Sequence, residues 1–308
     1  METSIQARTT RRGLILVVLA GMAWGTSGVA TKAIYSLADV SPVMVAAFRL
    51  ALGAPLLLVA LRVASGGLGV PVERRDTGLL LAVGAALGIS QACYFGAISQ
   101  VGVAVATLVT ICTAPVLVGL FGAALLRERL TRAMVVALAL ALLGTALLVG
   151  IHPGDAGTQG DKAVQGVLLA LGAALCFAVF ILGSRALAHR YHPLQSITIA
   201  VAIGGGLLLV VSALTTGVTL SYPAPVWALF LYLGLVPTAL GYGLFYHGVK
   251  HATAAEASIA SLAEPLTATL LAMVLYGERL GPLGWVGAAL LIGVLVFLYR
   301  GGGRDDSR

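Results

Sequence analysis

Two charged residues stand in stretches of sequence that are otherwise apolar. Glu264 lies midway along an apolar run from 252 to 276, and Arg49 lies about two turns into another from 42 to 63. A charge near the centre of a bilayer costs a few kcal/mol on insertion scales, so each needs a reason to be there. A carboxyl at that depth can hold the cationic group of a ligand, or take up and release a proton. An arginine stays charged and suits recognition of carboxylate or phosphate. By helical rise, the two could lie within about 10 Å of each other in depth. Such residues either neutralise one another or receive the two ends of a zwitterion, with Arg49 taking the carboxylate and Glu264 the amine. Each also has a plainer reading. Glu264 can be a protonated acid that glues neighbouring helices, and the Arg49 stem can snorkel to the surface.

The neighbours of Glu264 sharpen the chemistry. Pro265 follows it and has no N–H to give the carbonyl of Ser261, four residues back. A helix break is therefore expected at Pro265, with a freed carbonyl, the Ser261 hydroxyl and a carboxyl gathered within one turn. Freed backbone groups of this kind coordinate ions or substrate in transporters. Pro115 is expected to do the same to Ile111. Trp24 lies at mid-depth of its span, whereas Trp227 and Trp285 sit near span ends, where an aromatic belt places them. Trp24, Tyr94, Tyr242, Tyr246 and His247 can supply aromatic or hydrogen-bonding wall, or simply fill space. Glu256 lies one turn into the last-but-one span and is either a gate carboxylate or an interfacial one facing water.

The elements that must position these residues follow from composition. Of 308 residues, 59% are hydrophobic and 10% charged, far below the roughly 25% charge of a soluble domain. Turns, prolines and charges cut the chain into ten apolar segments: 13–34, 42–63, 77–98, 103–126, 130–150, 163–187, 193–216, 224–247, 252–276 and 282–300. Each is about the length that spans a bilayer as a helix, and backbone groups in lipid must bond internally. The expectation is an all-α integral membrane protein of ten transmembrane helices. With the N-terminus in the cytoplasm, fifteen of the nineteen lysines and arginines fall on the cytoplasmic side, which places both termini there. The net charge of +7 therefore reports orientation in a cell membrane and not a nucleic-acid partner. The run 13–34 is too long for a signal-peptide core, so it is read as a retained first span after a cytoplasmic tail, 1–12.

The chain also repeats itself. APVLVGLFGAALLRERL at 114–130 aligns with EPLTATLLAMVLYGERL at 264–280, pairing Pro115 with Pro265 and Glu128 with Glu278 at an offset of 150. Gly13 pairs with Gly166 and Trp24 with Phe177 at an offset of 153. The halves are 13–150 and 163–300, joined by a loop over 151–162. Because each holds five spans, they should be inverted with respect to one another, the architecture of alternating-access transporters. Glu128 and Glu278 lie at helix ends beside arginines, where they read as gate residues or as solvated ion pairs.

Motifs that are missing narrow the function. No GxxxxGK[ST] is present, so no nucleotide-driven pump is encoded, and there is no HExxH, GxSxG or paired CxxC. The five histidines make no recognisable metal cluster. Cys93, Cys112 and Cys176 lie in apolar segments and read as inert packing. No cofactor and no metal is expected.

With these residues in place the chain resembles the EamA family of the drug/metabolite transporter superfamily. The resemblance rests on Ala23-Trp24-Gly25 in the first span, Arg49 in the second, the two P-x₁₂-ER-L blocks and the Glu264–Pro265 pair, and it covers about 13 to 299. It implies secondary transport, often efflux of amino acids, metabolites or drugs across a bacterial cytoplasmic membrane. The motif positions it carries over are Trp24, Gly25, Arg49, Pro115, Glu128, Glu264, Pro265 and Glu278. The second half departs from the pattern, with Phe177 in place of tryptophan and no counterpart of Arg49, so any site is asymmetric. The expected function is export of a small organic solute, with proton coupling through Glu264 as a further step. The alternatives are a membrane-embedded lipid-modifying enzyme and a receptor or assembly subunit without transport.

Overall fold

The computed structural model describes residues 2–67, 71–125, 131–149, 161–215, 217–277 and 281–301. Among these the chain is helical throughout, with no strand. The helices are α1 (Glu2–Leu37), α2 (Pro42–Ser65), α3 (Arg74–Leu125), α4 (Arg132–Val149), α5 (Asp161–Leu187), α6 (Pro193–Thr215), α7 (Ala224–Leu233), a π-helical segment (Gly234–Leu240), α8 (Gly241–Val249), α9 (Ala254–Ala260), α10 (Ala263–Tyr276) and α11 (Pro282–Gly301). Nine stretches among the described residues are long and apolar enough to cross a membrane, and a tenth, Arg132–Leu148, is apolar but shorter. Together they match the ten segments read from the sequence. Residues 2–12 are helical and continue the first span without a break.

Two spans, 74–98 and 105–125, follow one another with no non-helical residue between them, but the chain reverses there. The Tyr94 hydroxyl and Thr107 Oγ1 are hydrogen-bonded at 2.7 Å, whereas a straight helix would set residues thirteen apart about 20 Å apart along its axis. Ser90 and Thr110 likewise donate to Ala173 O (2.9 Å) and Ala170 O (3.2 Å), carbonyls less than a turn apart on α5. The two arms of α3 thus lie side by side against α5.

Packing crosses between the halves. α1 lies against α8 and α10, α2 against α6, α3 against α5, and α4 against α11. The glycines show the same exchange. A Cβ on Gly13 would meet Gly248 O at 2.8 Å and His251 Cβ at 2.8 Å, and a Cβ on Gly166 would meet Gln100 Cβ at 2.9 Å and Val101 Cγ1 at 2.5 Å. The first span of each half is thus seated on the third-to-fourth-span junction of the other. α4 and α11 meet backbone to backbone, since a Cβ on Gly287 would lie 2.5 Å from both Gly144 O and Leu148 N. Small residues at such crossings let helices pack closely where lipid supplies no hydrophobic drive.

Candidate functional site

The span holding Glu264 is interrupted. α9 stops at Ala260 and α10 starts at Ala263, with Ser261 and Leu262 in a turn. The break lies one turn before Pro265, whose ring crowds the Ser261 carbonyl and whose nitrogen cannot bond to it. That carbonyl is not free, contrary to the sequence expectation. The chain tightens so that Glu264 N–H donates to Ser261 O at 3.0 Å and Leu262 N–H to Ile259 O at 3.1 Å. The Ser261 hydroxyl donates to Ser258 O at 2.7 Å. The other expected break is absent. α3 runs through Pro115 as helix, because a membrane helix tolerates the loss of one bond when its neighbours hold.

The α9–α10 turn is fixed from behind by α1. A Cβ on Gly21 would meet Ser261 O at 2.9 Å, and one on Gly25 would meet Glu264 O at 2.6 Å. These two glycines let the backbones touch. Among the described residues the Glu264 carboxyl makes no hydrogen bond and no salt bridge within 4.0 Å.

Arg49 is 9% exposed and is held by a feature with no expectation behind it. Pro237 cannot bond to the Leu233 carbonyl. The Thr238 hydroxyl does so instead, at 2.8 Å, inside the π-helical segment. The Arg49 Nε then donates to Thr238 Oγ1 at 3.2 Å. A Cβ on Gly53, one turn beyond Arg49, would lie 2.4 Å from Thr238 Cγ2, so glycine there admits the approach. Pro237 in an apolar run was the signal that could have found this bulge, since π-bulges collect at functional sites.

Arg49 and Glu264 line one cavity of about 480 Å³, together with Trp24, Tyr94, Tyr242, Ser261, Pro115 and Pro265. The residues singled out in the sequence for binding are therefore in one place, apart from Tyr246 and His247, which do not line the cavity. Arg49 and Glu264 are close enough to feel each other's charge yet form no salt bridge within 4.0 Å. The aromatic wall is continuous. The Trp24 ring lies 5.1 Å from Tyr242, 5.3 Å from Phe245 and 6.3 Å from Phe177, centroid to centroid. Trp24 and Phe177 are the equivalent residues of the two halves, so their contact marks where the halves meet. The Trp24 indole N–H is buried and has no acceptor among the described residues. Gln91 was missed by the sequence reading. It lines the cavity and its side chain makes no hydrogen bond among the described residues; an amide alone in the run 77–98 was its signal.

The cavity extends toward one face of the bundle. Its lining reaches Lys32 and Tyr35 at the end of α1, Ile98 and Thr107 at the α3 reversal, and Ala272 on α10. The opposite face is held shut by polar contacts between the halves. Asp76, 2% exposed, receives hydrogen bonds from the Tyr191 hydroxyl (2.8 Å) and from Arg190. Tyr191 Oη in turn accepts from Glu73 N–H at 3.1 Å. Nearby, Arg185 reaches the Val249 and Lys250 carbonyls, both at 3.1 Å.

Of the candidate gate acids, Glu256 lies elsewhere. Glu256 forms a capping box, accepting from Thr253 N–H at 2.9 Å while its own N–H donates to Thr253 Oγ1 at 3.2 Å. Its carboxylate caps α9 and does not line the cavity. Glu128 and Glu278 lie outside the described residues. No group of three or more metal-ligating side chains is present among the described residues.

Comparison with known proteins places this arrangement. A model of the EamA-like transporter family matches the chain twice, over residues 11–150 and 164–300. The chain is 32% identical over 285 residues to the uncharacterized transporter YwfM of Bacillus subtilis, covering 92% of each. It is 30% identical over 244 residues to a protein of Streptantibioticus cattleyicolor named as a probable terminal-alkyne amino-acid exporter, covering 79% of this chain and 80% of that one. A protein of known crystal structure superposes with a TM-score of 0.79 at 23% identity, covering 96% of this chain and 99% of the other, and so shares the fold.

Proposed function

This chain belongs to the EamA-like transporter family, a multi-pass membrane transporter of a small molecule, and on that premise we propose that it exports an amino acid or similar zwitterion bearing an apolar side chain. The observation that carries the reading is the unpaired placement of Arg49 and Glu264 on one cavity. Two opposite charges left apart in an apolar bundle cost energy that a zwitterion recovers by bridging them. The guanidinium takes the carboxylate, Glu264 takes the ammonium, and the wall of Trp24, Phe177 and Tyr242 takes the side chain. Arginine suits this because its planar fork matches a carboxylate with two parallel bonds. The relative named as an amino-acid exporter supports the same substrate class.

The mechanism that fits is alternating access between inverted halves, 13–150 and 163–300, with both termini in the cytoplasm. In that orientation the cavity opens outward, and the Asp76–Arg190–Tyr191 contacts close the cytoplasmic side. The interrupted α9–α10 span supplies the bend that a rocking half needs. Glu264 exchanges a proton for the substrate amine, which couples export to the proton gradient.

Purified protein in liposomes tests the reading. Leucine- or phenylalanine-like amino acids are expected to stabilise the protein against heat and to be carried across the membrane. Arg49→Ala is expected to abolish binding of the amino acid. Glu264→Gln is expected to keep the fold but to lose dependence on a pH gradient. Equal binding of every ligand by wild type and Arg49→Ala would sink the zwitterion reading, and undiminished proton-driven flux in Glu264→Gln would sink the coupling.

A further inference from the structure

A second concavity lies between α1, α9 and α11, away from the cavity of Glu264. It has a volume of about 250 Å³. Ile15 and Leu19 of α1 and Val296 and Tyr299 of α11 form its walls, and Ala260 of α9 forms its floor. The walls are exposed, at 44%, 43%, 42% and 44%, while Ala260 is 1% exposed. The trough is thus open to whatever surrounds the bundle.

One end of the trough is cationic. Arg11 precedes Ile15 and Leu19 by one and two turns, on the same helical stripe. Its guanidinium carbon lies 5.5 Å from the centroid of the Tyr299 ring. Its Nε is buried and has no hydrogen-bond partner among the described residues. Arg12 and Arg300 adjoin it, exposed, and among the described residues no carboxylate pairs with any of the three. From Arg11 to Leu19 the stripe runs about 12 Å along the helix, close to the roughly 15 Å of one leaflet's hydrocarbon. A positive head with spare donors, followed by an apolar trough of leaflet depth, is the complement of an anionic phospholipid.

We infer that this groove is a binding site for an anionic phospholipid, with the phosphate on Arg11 and one acyl chain along Ile15, Leu19 and Val296. The floor gives the site a consequence. Ala260 is the last residue before the Ser261–Leu262 turn, so the seated chain presses on the outer side of the interruption that places Glu264. The lipid stiffens that turn. The site stands on its own geometry and holds whatever the transported solute is.

The full chain in detergent, titrated with phosphatidylglycerol and with phosphatidylcholine of identical acyl chains, tests the site by native mass spectrometry and thermal unfolding. Phosphatidylglycerol is expected to bind more tightly and to raise the unfolding temperature more, with glycerol 1-phosphate alone giving neither effect. Arg11→Gln is expected to weaken phosphatidylglycerol by about fivefold, the weight of one interfacial cation. Ile15→Trp, which fills the groove and keeps the charge, is expected to abolish the bound lipid peak. Arg62→Gln, on another exposed basic residue, is expected to change nothing. Equal binding of the two lipids overturns the proposal, as does full phosphatidylglycerol preference in either groove variant. So does a shift in oligomeric state on Ile15→Trp, which would make the groove a contact between copies of the chain.

Discussion

Arg49 Nε and Thr238 Oγ1 lie 3.2 Å apart across 189 residues of sequence, and the bond fixes the plane of the guanidinium. One edge of the arginine is tied to the bulged wall, and its terminal nitrogens remain uncommitted to any carboxylate. Thr238 can hold it because its own proton is directed at the Leu233 carbonyl, which leaves an oxygen lone pair for Arg49. Thr238→Val keeps the shape and removes both bonds. Hydrogen bonds to charged groups are worth about 1.5–3 kcal/mol, so substrate affinity is expected to fall by about tenfold or more. Thr238→Ser is expected to retain most of it. Isothermal titration of the variants checks this.

Gly53 makes that bond accessible. A methyl there would lie 2.4 Å from Thr238 Cγ2. Gly53→Ala is expected to cost about 1–3 kcal/mol as overpacking and to weaken substrate binding together with stability. Thermal unfolding in detergent reads the first effect and ligand titration the second. Binding unchanged alongside lowered stability would separate Gly53 from the site.

The Glu264 carboxyl lacks a hydrogen-bond partner among the described residues, which argues against an internal tie. Glu264→Gln is expected to leave thermal stability within about 0.5 kcal/mol of wild type, the range for substitutions that break no contact. A loss of 2 kcal/mol or more, on the order expected for a broken buried tie, would make this acid structural glue.

The closed face rests on Asp76. Its carboxylate is buried, but Arg190 is 48% exposed in its side chain, so solvent screens the ion pair and most of the restraint comes from hydrogen bonding. Tyr191→Phe removes the hydroxyl that joins Asp76 to Glu73 N–H. The variant is expected to open this face more often. A cysteine placed at Gln91, with Cys93, Cys112 and Cys176 replaced, should then react with a membrane-impermeant thiol reagent from both sides. In the parent it should react only from the face that the cavity reaches.

Acid should loosen the same face. Arg185 Nη1 lies 2.7 Å from His189 Nε2, and arginine can only donate, so His189 must be neutral with its proton on Nδ1. Burial, then the Arg185 and Lys250 cations, hold its imidazole below the ordinary histidine value. The folded state therefore binds fewer protons than the unfolded one as pH falls through the ordinary value. Stability is full above about pH 7 and declines on acidification through the ordinary histidine value. The unfolding temperature is expected to follow. His189→Gln, whose amide oxygen still accepts from Arg185, should flatten part of the slope. His192 and His251 are also held low, mainly by burial, and supply the remainder.

The ten spans were legible in the sequence because lipid allows few solutions: a run of twenty apolar residues is a helix or nothing. The cavity was legible for the same reason. Glu264, Arg49, Ser261 and Trp24 are expensive or oddly placed in such runs, and the bundle gathers them on one cavity. Local detail was less visible. Pro115 and Pro265 occupy matching positions, yet only the second adjoins a broken helix, since the outcome depends on the helices packed behind each. Gly21 and Gly25 support the turn near Pro265, and no rule of spacing relates them to it. The two arms of α3 were legible as separate spans, 77–98 and 103–126, but the pairing of Tyr94 with Thr107 across the reversal was not. Thr238 escaped because it acts only once Pro237 has disabled its neighbour's bond.

Gly144 and Gly287 bring the last helices of the two halves into direct backbone contact. A single methyl at either position is bulkier than the gap, so this seam cannot drift in the way that lipid-facing residues can. Leu290 and Leu291 pack against Gly144 at the same crossing, so sliding α4 along α11 would run main chain into main chain, and the pair moves as one strut.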